Sequence, residues 1–254
     1  VFDLTAPETH AWLVLVQAAL GVVTLVATTL ITAPYGRHER PGWGPTLPAR
    51  AGWILMESPA VLVFGAVFAW FGGTGPASWA LLLIWMAHYV HRAFVYPFRM
   101  RWTGRRMPVL VPMLAIGFNV LNAYVNAAWI GRFGAFETSW LLDARFIVGA
   151  LVFAAGMAIN LRSDATLRAL RAPGETGYRV PQGGLYRFVS CPNYLGELVE
   201  WVGWTIATWS SAGAVFAFYT AANLAPRAMS NHRWYLDRFP DYPRERRALI
   251  PWVW

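Results

Sequence analysis

A chain of 254 residues that is 57% hydrophobic and only 13% charged is too apolar for a soluble domain, which carries about 25% charged residues, and we read it as an integral membrane protein. Its formal charge of +8 is carried by arginine with no lysine present, and the arginines fall in short loops between apolar runs, a pattern of membrane topology that argues against nucleic acid as a partner. The single cysteine, Cys191, excludes a disulfide within the chain, and no metal site is expected.

Crossing the hydrocarbon takes about 20 mainly apolar residues, and seven stretches are candidates: 11–33, 52–71, 78–98, 109–130, 142–160, 194–210 and 212–226. The first follows Asp3 and Glu8 and is too long for a signal-peptide core, so it is read as a retained helix. The last two are short and meet at Ser210–Gly213. Basic residues gather after the first, third and fifth stretches and in the C-terminal tail, whereas the opposite side holds Arg132 and Arg145. Positive loops stay cytoplasmic. This predicts an all-α polytopic protein of seven transmembrane helices, N-terminus outside and C-terminus cytosolic, in one domain over 1–254. The tail from Pro226 to Arg247 reads as an Arg-rich amphipathic helix, and the aromatic end from Ala248 to Trp254 lies at the interface or folds back on the core.

Polar residues inside these stretches stand out. Glu57 sits in the second, and an ionisable group within a span costs at least ~2.5 kcal/mol, so function is its default reading. His88, Tyr89, His91 and Arg92 sit in the third. Counting from the inner helix ends at 1.5 Å per residue, Glu57 and Tyr89 lie roughly 8 and 14 Å deep, close enough for a shared site. The plainer alternative pairs Glu57 with Arg92 or a histidine as structural glue. Glu197 and Glu200 enter the sixth stretch, where either balances a neighbouring arginine or serves a site. Between Gly156 and Trp201 the chain carries five arginines among Asn, Asp and Tyr. That set suits an anionic, many-hydroxyl ligand such as a nucleotide, because guanidinium forks match phosphate oxygens.

Five blocks carry a resemblance to the steroid 5α-reductase family that extends nearly end to end: Tyr35-Gly-Arg-His38; Leu47 through Met56-Glu57; His88 through Tyr96; the stretch 156–201; and Tyr235 through Asp241-Tyr-Pro243 to Pro251. The resemblance implies a seven-helix membrane enzyme that uses NADPH to reduce the Δ4 double bond of 3-oxo steroids. The substrate pocket then falls mainly in helices of 11–130 and the cofactor part mainly in 156–247. It also implies that Glu57 and Tyr89 are the catalytic pair that polarises the 3-oxo group, with burial in lipid favouring the uncharged carboxyl. Asn160, Asp164, Arg171, Tyr178, Arg179, Asn193, Tyr194 and Glu197 match the family's nucleotide-contacting stretch, and Arg105 an arginine of the preceding cytosolic loop. Tyr35, Arg37, Arg92, Tyr96 and Tyr235 are expected as further cofactor contacts.

Two departures matter. Met56 stands where animal steroid-reducing members tend to have Gln, and Asn231-His232 stands where the family tends to have two histidines. Asn231 retains hydrogen bonding toward the cofactor but does not titrate near neutrality. Rival readings are a reductase of lipid or polyprenol enones, an isoprenylcysteine-type methyltransferase using S-adenosylmethionine, and a lipid carrier. The expected partners are a steroid or other lipophilic enone and membrane lipid, with the chain a monomer. Exclusive use of arginine points to a GC-rich bacterial genome and hence an inner membrane; a eukaryotic relative would sit in the endoplasmic reticulum.

Overall fold

A computed structural model describes residues 3–73, 75–100, 102, 104–170 and 177–254. Helices stand at all seven predicted stretches: α1 (Pro7–Leu30), α2 (Ala49–Phe71), α3 (Pro76–Val90), α5 (Leu110–Ala128), α6 (Ala144–Ala169), α7 (Pro192–Thr208) and α8 (Ser211–Arg238). A π-helical turn, His91–Val95, and the single-turn helix α4 (Tyr96–Arg99) extend α3. Four helical segments, 7–30, 49–71, 110–133 and 144–169, are long and apolar enough to cross a membrane by length and composition. Their outer surfaces agree with that setting, since Trp12, Leu62, Leu114 and Leu151 all turn outward.

Three boundaries differ from expectation. The fifth stretch continues to Ala169, because Leu161–Ala169 is polar but made of residues compatible with a helix; Asn160 and Asp164 therefore stand on a rigid element. The seventh stretch and the start of the tail form one helix that runs through Pro226, while the tail beyond Arg238 is not helical. It folds back instead, with Arg247 bridging Val189 and with Ala248 and Leu249 buried, while Trp252 and Val253 stay exposed. A two-stranded ribbon, β1 (Thr46–Pro48) against β2 (Arg106–Pro108), was not foreseen and ties the loop before α2 to the loop before α5. Between α7 and α8, Trp209 turns left-handed (φ 46°) and the Ser210 hydroxyl accepts from Gly213 N at 2.9 Å, capping α8 where the hinge was expected.

The core is aromatic. Trp85 stacks on Phe64 at 4.3 Å and meets Trp204 at 5.2 Å and Trp201 at 5.5 Å, joining α2, α3 and α7. The tightest seam lies between antiparallel α6 and α7, where glycines let backbone touch backbone. A Cβ on Gly156 would fall 2.6 Å from Gly196 O, one on Gly196 2.5 Å from Asn160 N, and one on Gly203 2.7 Å from Gly149 O. Contacts this close need small residues on both helices. Gly156→Leu is expected to destabilise the protein by about 3 kcal/mol through overpacking, whereas Gly117→Ala, whose Cβ meets nothing within 4 Å, is expected to leave it unharmed. Thermal unfolding in detergent reads the difference; equal midpoints for the two variants would contradict the tight seam.

Candidate functional site

Two chambers meet inside the bundle. The wider, ≈ 700 Å³, is lined mainly by apolar side chains of α1, α2, α5 and α8 and includes Glu57, Tyr89, Asn119 and Glu197. The narrower, ≈ 210 Å³, is polar and lies among the loop after α1, the ends of α3 and α6, the start of α7 and the end of α8. Both are lined by Ala33, Tyr35, Trp53, Arg92, Leu224 and Arg227, which together form the septum between them; Tyr35, Trp53, Arg92 and Arg227 are its aromatic and charged members.

The septum is cationic and aromatic. The Arg92 guanidinium sits 4.6 Å from the Trp53 ring and 4.8 Å from Tyr96, and Trp53 Nε1 donates to Arg92 O at 3.1 Å. Arg227 sits 4.7 Å from the Tyr35 ring. Arg92 pairs with Glu197 at 3.5 Å and Asp164 at 3.9 Å, and His88 Nδ1 meets Glu200 Oε2 at 2.5 Å. Among the described residues Glu57 makes no ion pair. The pairing of Glu57 with Arg92 or a histidine, weighed above as structural glue, is thus not found. The acids that take those partners are Glu197, Asp164 and Glu200.

The α6–α7 seam sets the floor of the polar chamber. Asn160 Nδ2 donates to Asn193 O at 3.0 Å, and Asn193 Nδ2 to Asp164 Oδ1 at 3.1 Å. Asp164 Oδ2 and Arg37 Nη1 are buried with no hydrogen-bond partner among the described residues. On the opposite wall, Arg105 Nη2 donates to the Tyr178 hydroxyl at 3.0 Å, while Arg37 stands 5.0 Å from the Trp234 ring, 4.8 Å from Tyr235 and 5.8 Å from Tyr178. The orphaned Arg37 donor and flat aromatic faces beside arginines suit an anionic ligand with planar rings.

Of the residues singled out for a cofactor, Tyr35, Arg37, Arg92, Tyr96, Arg105 and Asp164 line this chamber, as do Tyr178, Arg179, Asn193, Tyr194, Asn231 and Tyr235. Asn160 braces it from behind, and Glu197 faces the apolar side of the septum. His232 lines neither chamber: its Nδ1 bonds Ser190 Oγ at 2.6 Å, and burial, then Arg247, holds the ring below its ordinary pKa. Arg171 lies outside the described residues. Glu57 and Tyr89 share the wall of the apolar chamber.

Four residues escaped the sequence reading. Arg227 served there only as a basic tail residue, yet it lines both chambers. Trp53 lay inside the block from Leu47 to Glu57 with no role of its own assigned, and it lines both chambers. His38 bonds Asn231 Oδ1 at 3.0 Å, and burial, opposed by that bond, keeps it below the ordinary histidine pKa. Asn119 donates to Met56 O at 2.6 Å beside Glu57. An Asn within an apolar run was a signal available for the last of these.

The profile of the family described as 3-oxo-5-alpha-steroid 4-dehydrogenase matches residues 105–254. The chain is 41% identical to the steroid 5-alpha-reductase of Gossypium hirsutum, over 92% of this chain and 93% of that protein. It is 37% identical to 3-oxo-5-alpha-steroid 4-dehydrogenase 1 of Homo sapiens, over 96% and 95%, and 42% identical to 3-oxo-5-alpha-steroid 4-dehydrogenase 2 of Rattus norvegicus, over 91% of each. The chain therefore belongs to the 3-oxo-5-alpha-steroid 4-dehydrogenase family and is an oxidoreductase acting on CH–CH groups.

Proposed function

We propose that this protein reduces the Δ4 double bond of 3-oxo-Δ4 steroids with NADPH. The observation that carries the reading is the shared wall: an apolar chamber holding an unpaired carboxyl and a phenol abuts an arginine-lined chamber across Arg92 and Arg227. The names of its relatives supply the steroid.

The polar chamber fits a phosphorylated dinucleotide by the chemistry of its donors. Arg37, with an orphaned buried nitrogen, and Arg105 are placed for phosphate oxygens; Asp164 and Asn193 for hydroxyls or an amide; Tyr178 and Tyr235 for ring faces. When bound, the nicotinamide supplies a hydride equivalent. Everything else falls to the chain. Hydride addition at the carbon β to the carbonyl moves the π electrons onto the 3-oxo oxygen as an enolate, and that oxygen needs donors in a dry site. Glu57, which makes no ion pair among the described residues, donates as an uncharged carboxyl, and Tyr89 offers a second donor. Asn119 fixes the Met56 carbonyl beside Glu57 and so holds the start of that turn. Protonation of the enolate at the α carbon completes the reduced ketone. In the membrane the chain spans seven times, with the C-terminus and the arginine-lined chamber on the cytosolic side, where the nucleotide is found.

Glu57→Gln is expected to lower kcat by roughly 100-fold with NADPH affinity unchanged, and Tyr89→Phe to fall in the same direction. Loss of nicotinamide absorbance with a Δ4-3-oxo steroid measures both, and undiminished turnover in Glu57→Gln would remove the carboxyl from the chemistry. For the second chamber, Arg37→Gln and Arg105→Gln are each expected to raise KM for NADPH about tenfold, the loss of one charge-assisted contact. KM for the steroid is expected to change much less. Titration with NADPH and S-adenosylmethionine separates reductase from methyltransferase, since binding of the second alone would overturn the reading.

A further inference from the structure

The C-terminal tail carries a surface that neither chamber uses. It runs parallel to the segment before α7: Arg247 N donates to Phe188 O at 2.8 Å, Ser190 N to Arg247 O at 2.8 Å and Cys191 N to Ala248 O at 3.2 Å. Its inner face is satisfied. Ala248 and Leu249 are buried with Cys191 against Tyr194, Leu195 and Leu198 of α7, and the Arg246 guanidinium donates to Pro181 O at 2.9 Å and Gln182 Oε1 at 2.7 Å. The outer face is bare. Phe188, Ile250 and Trp254 are exposed there, Trp252 is 77% exposed and Val253 75%, and the Trp252 ring lies 5.3 Å from that of Phe188. Trp252 holds φ 61°, an unfavourable value for a bulky residue, in a turn closed by Trp254 N donating to Ile250 O at 3.0 Å. A contiguous apolar patch presented outward marks a binding surface.

Positive charge surrounds this patch in the chain. Arg187, Arg244 and Arg247 are exposed and join no ion pair among the described residues, and Glu245 is the sole acid in 183–191 and 242–254. The height of the patch follows from α7. Leu249 packs on the first two turns of that helix, which opens the sixth apolar stretch, so the patch lies where the chain enters the hydrocarbon. Lipid headgroups lie at that depth. Indole rings settle among them, and arginines pair with their phosphates. A second copy of this chain is a poor occupant, since a symmetric contact would set arginines against arginines.

We propose that the outer face of the tail is a docking site for anionic phospholipid. Arg187, Arg244 and Arg247 take the headgroup phosphates, while Trp252 and Val253 enter the boundary between headgroups and acyl chains. Because the tail is paired with the segment that leads into α7, lipid seated on its outer face stabilises the folded chain by binding it in preference to the unfolded one. Neither the steroid nor the nucleotide is needed for this.

The test is thermal unfolding of the full chain in phosphatidylcholine nanodiscs made with and without phosphatidylglycerol. Wild type is expected to unfold about 5 °C higher with the anionic lipid, the effect of a few arginines held at a negative surface. Arg187→Gln, Arg244→Gln and Arg247→Gln combined are expected to cut that difference to about 1 °C. Removing equal charge elsewhere, by Arg40→Gln, Arg50→Gln and Arg99→Gln, is expected to keep most of it. Each difference is taken between lipids within one variant, so a general loss of stability cancels. Should the tail variant fail to fold, Arg244→Gln with Trp252→Ala, both on exposed side chains, is expected to halve the difference. No difference in wild type overturns the proposal, as does one that survives the tail variants or is lost equally in the control. Inorganic phosphate is added to phosphatidylcholine nanodiscs as a further arm. An equal rise there assigns the arginines to a soluble anion and overturns lipid docking.

Discussion

The backbone contact between α6 and α7 is the constraint on which the site depends. Gly149 and Gly156 on one helix meet Gly196 and Gly203 on the other, each seven residues apart, so the two axes approach without side chains between them. Within a lipid environment hydrophobicity does not hold helices together, and close van der Waals packing of small residues takes over. One turn beyond Gly156 comes Asn160, and another turn on, Asp164. Steps of four and then three residues carry α7 from Asn193 to Glu197 and Glu200, again along one helix face. Because the backbones touch, Asn160 reaches Asn193 O and Asn193 reaches Asp164, and the polar floor is built without any flexible loop.

Among the described acids at the two chambers, Glu57 makes no ion pair whereas Asp164, Glu197 and Glu200 do. Arg92 is placed between Asp164 and Glu197, and His88 is held by Glu200. Breaking either pairing would leave a buried charge uncompensated, which typically costs about 3–5 kcal/mol. Glu57 has no such partner, and the neighbouring amide of Asn119 is committed in part to the Met56 carbonyl.

Much of this was legible beforehand. Hydropathy located all seven helices, since a stretch near 20 residues long leaves a strong signal, and the nucleotide-type residues between 156 and 201 form a cluster in the chain as well as in space. The α6 extension was missed because Leu161–Ala169 loses its apolar character once it leaves the core. Continuity of α8 through Pro226 was missed because proline marks a helix end when only local preference is considered. The His88–Glu200 pair joins residues 112 apart in the chain, and no local pattern reports such a meeting. Arg227 was legible as a charge but not as a wall, since its neighbours Tyr35 and Tyr194 come from distant segments.

Function follows from adjacency. The chambers proposed for a greasy enone and for a phosphorylated cofactor gain a joint purpose only if their contents touch across the shared wall that includes Arg92, Arg227, Tyr35 and Trp53. Transfer of deuterium from the nicotinamide 4-position of labelled NADPH to the steroid measures that contact directly. The account predicts one deuterium at carbon 5 of the product in a single turnover in ordinary water, with none at carbon 4. Product carrying no deuterium from the cofactor, or label at carbon 5 arising from heavy water instead, would contradict it.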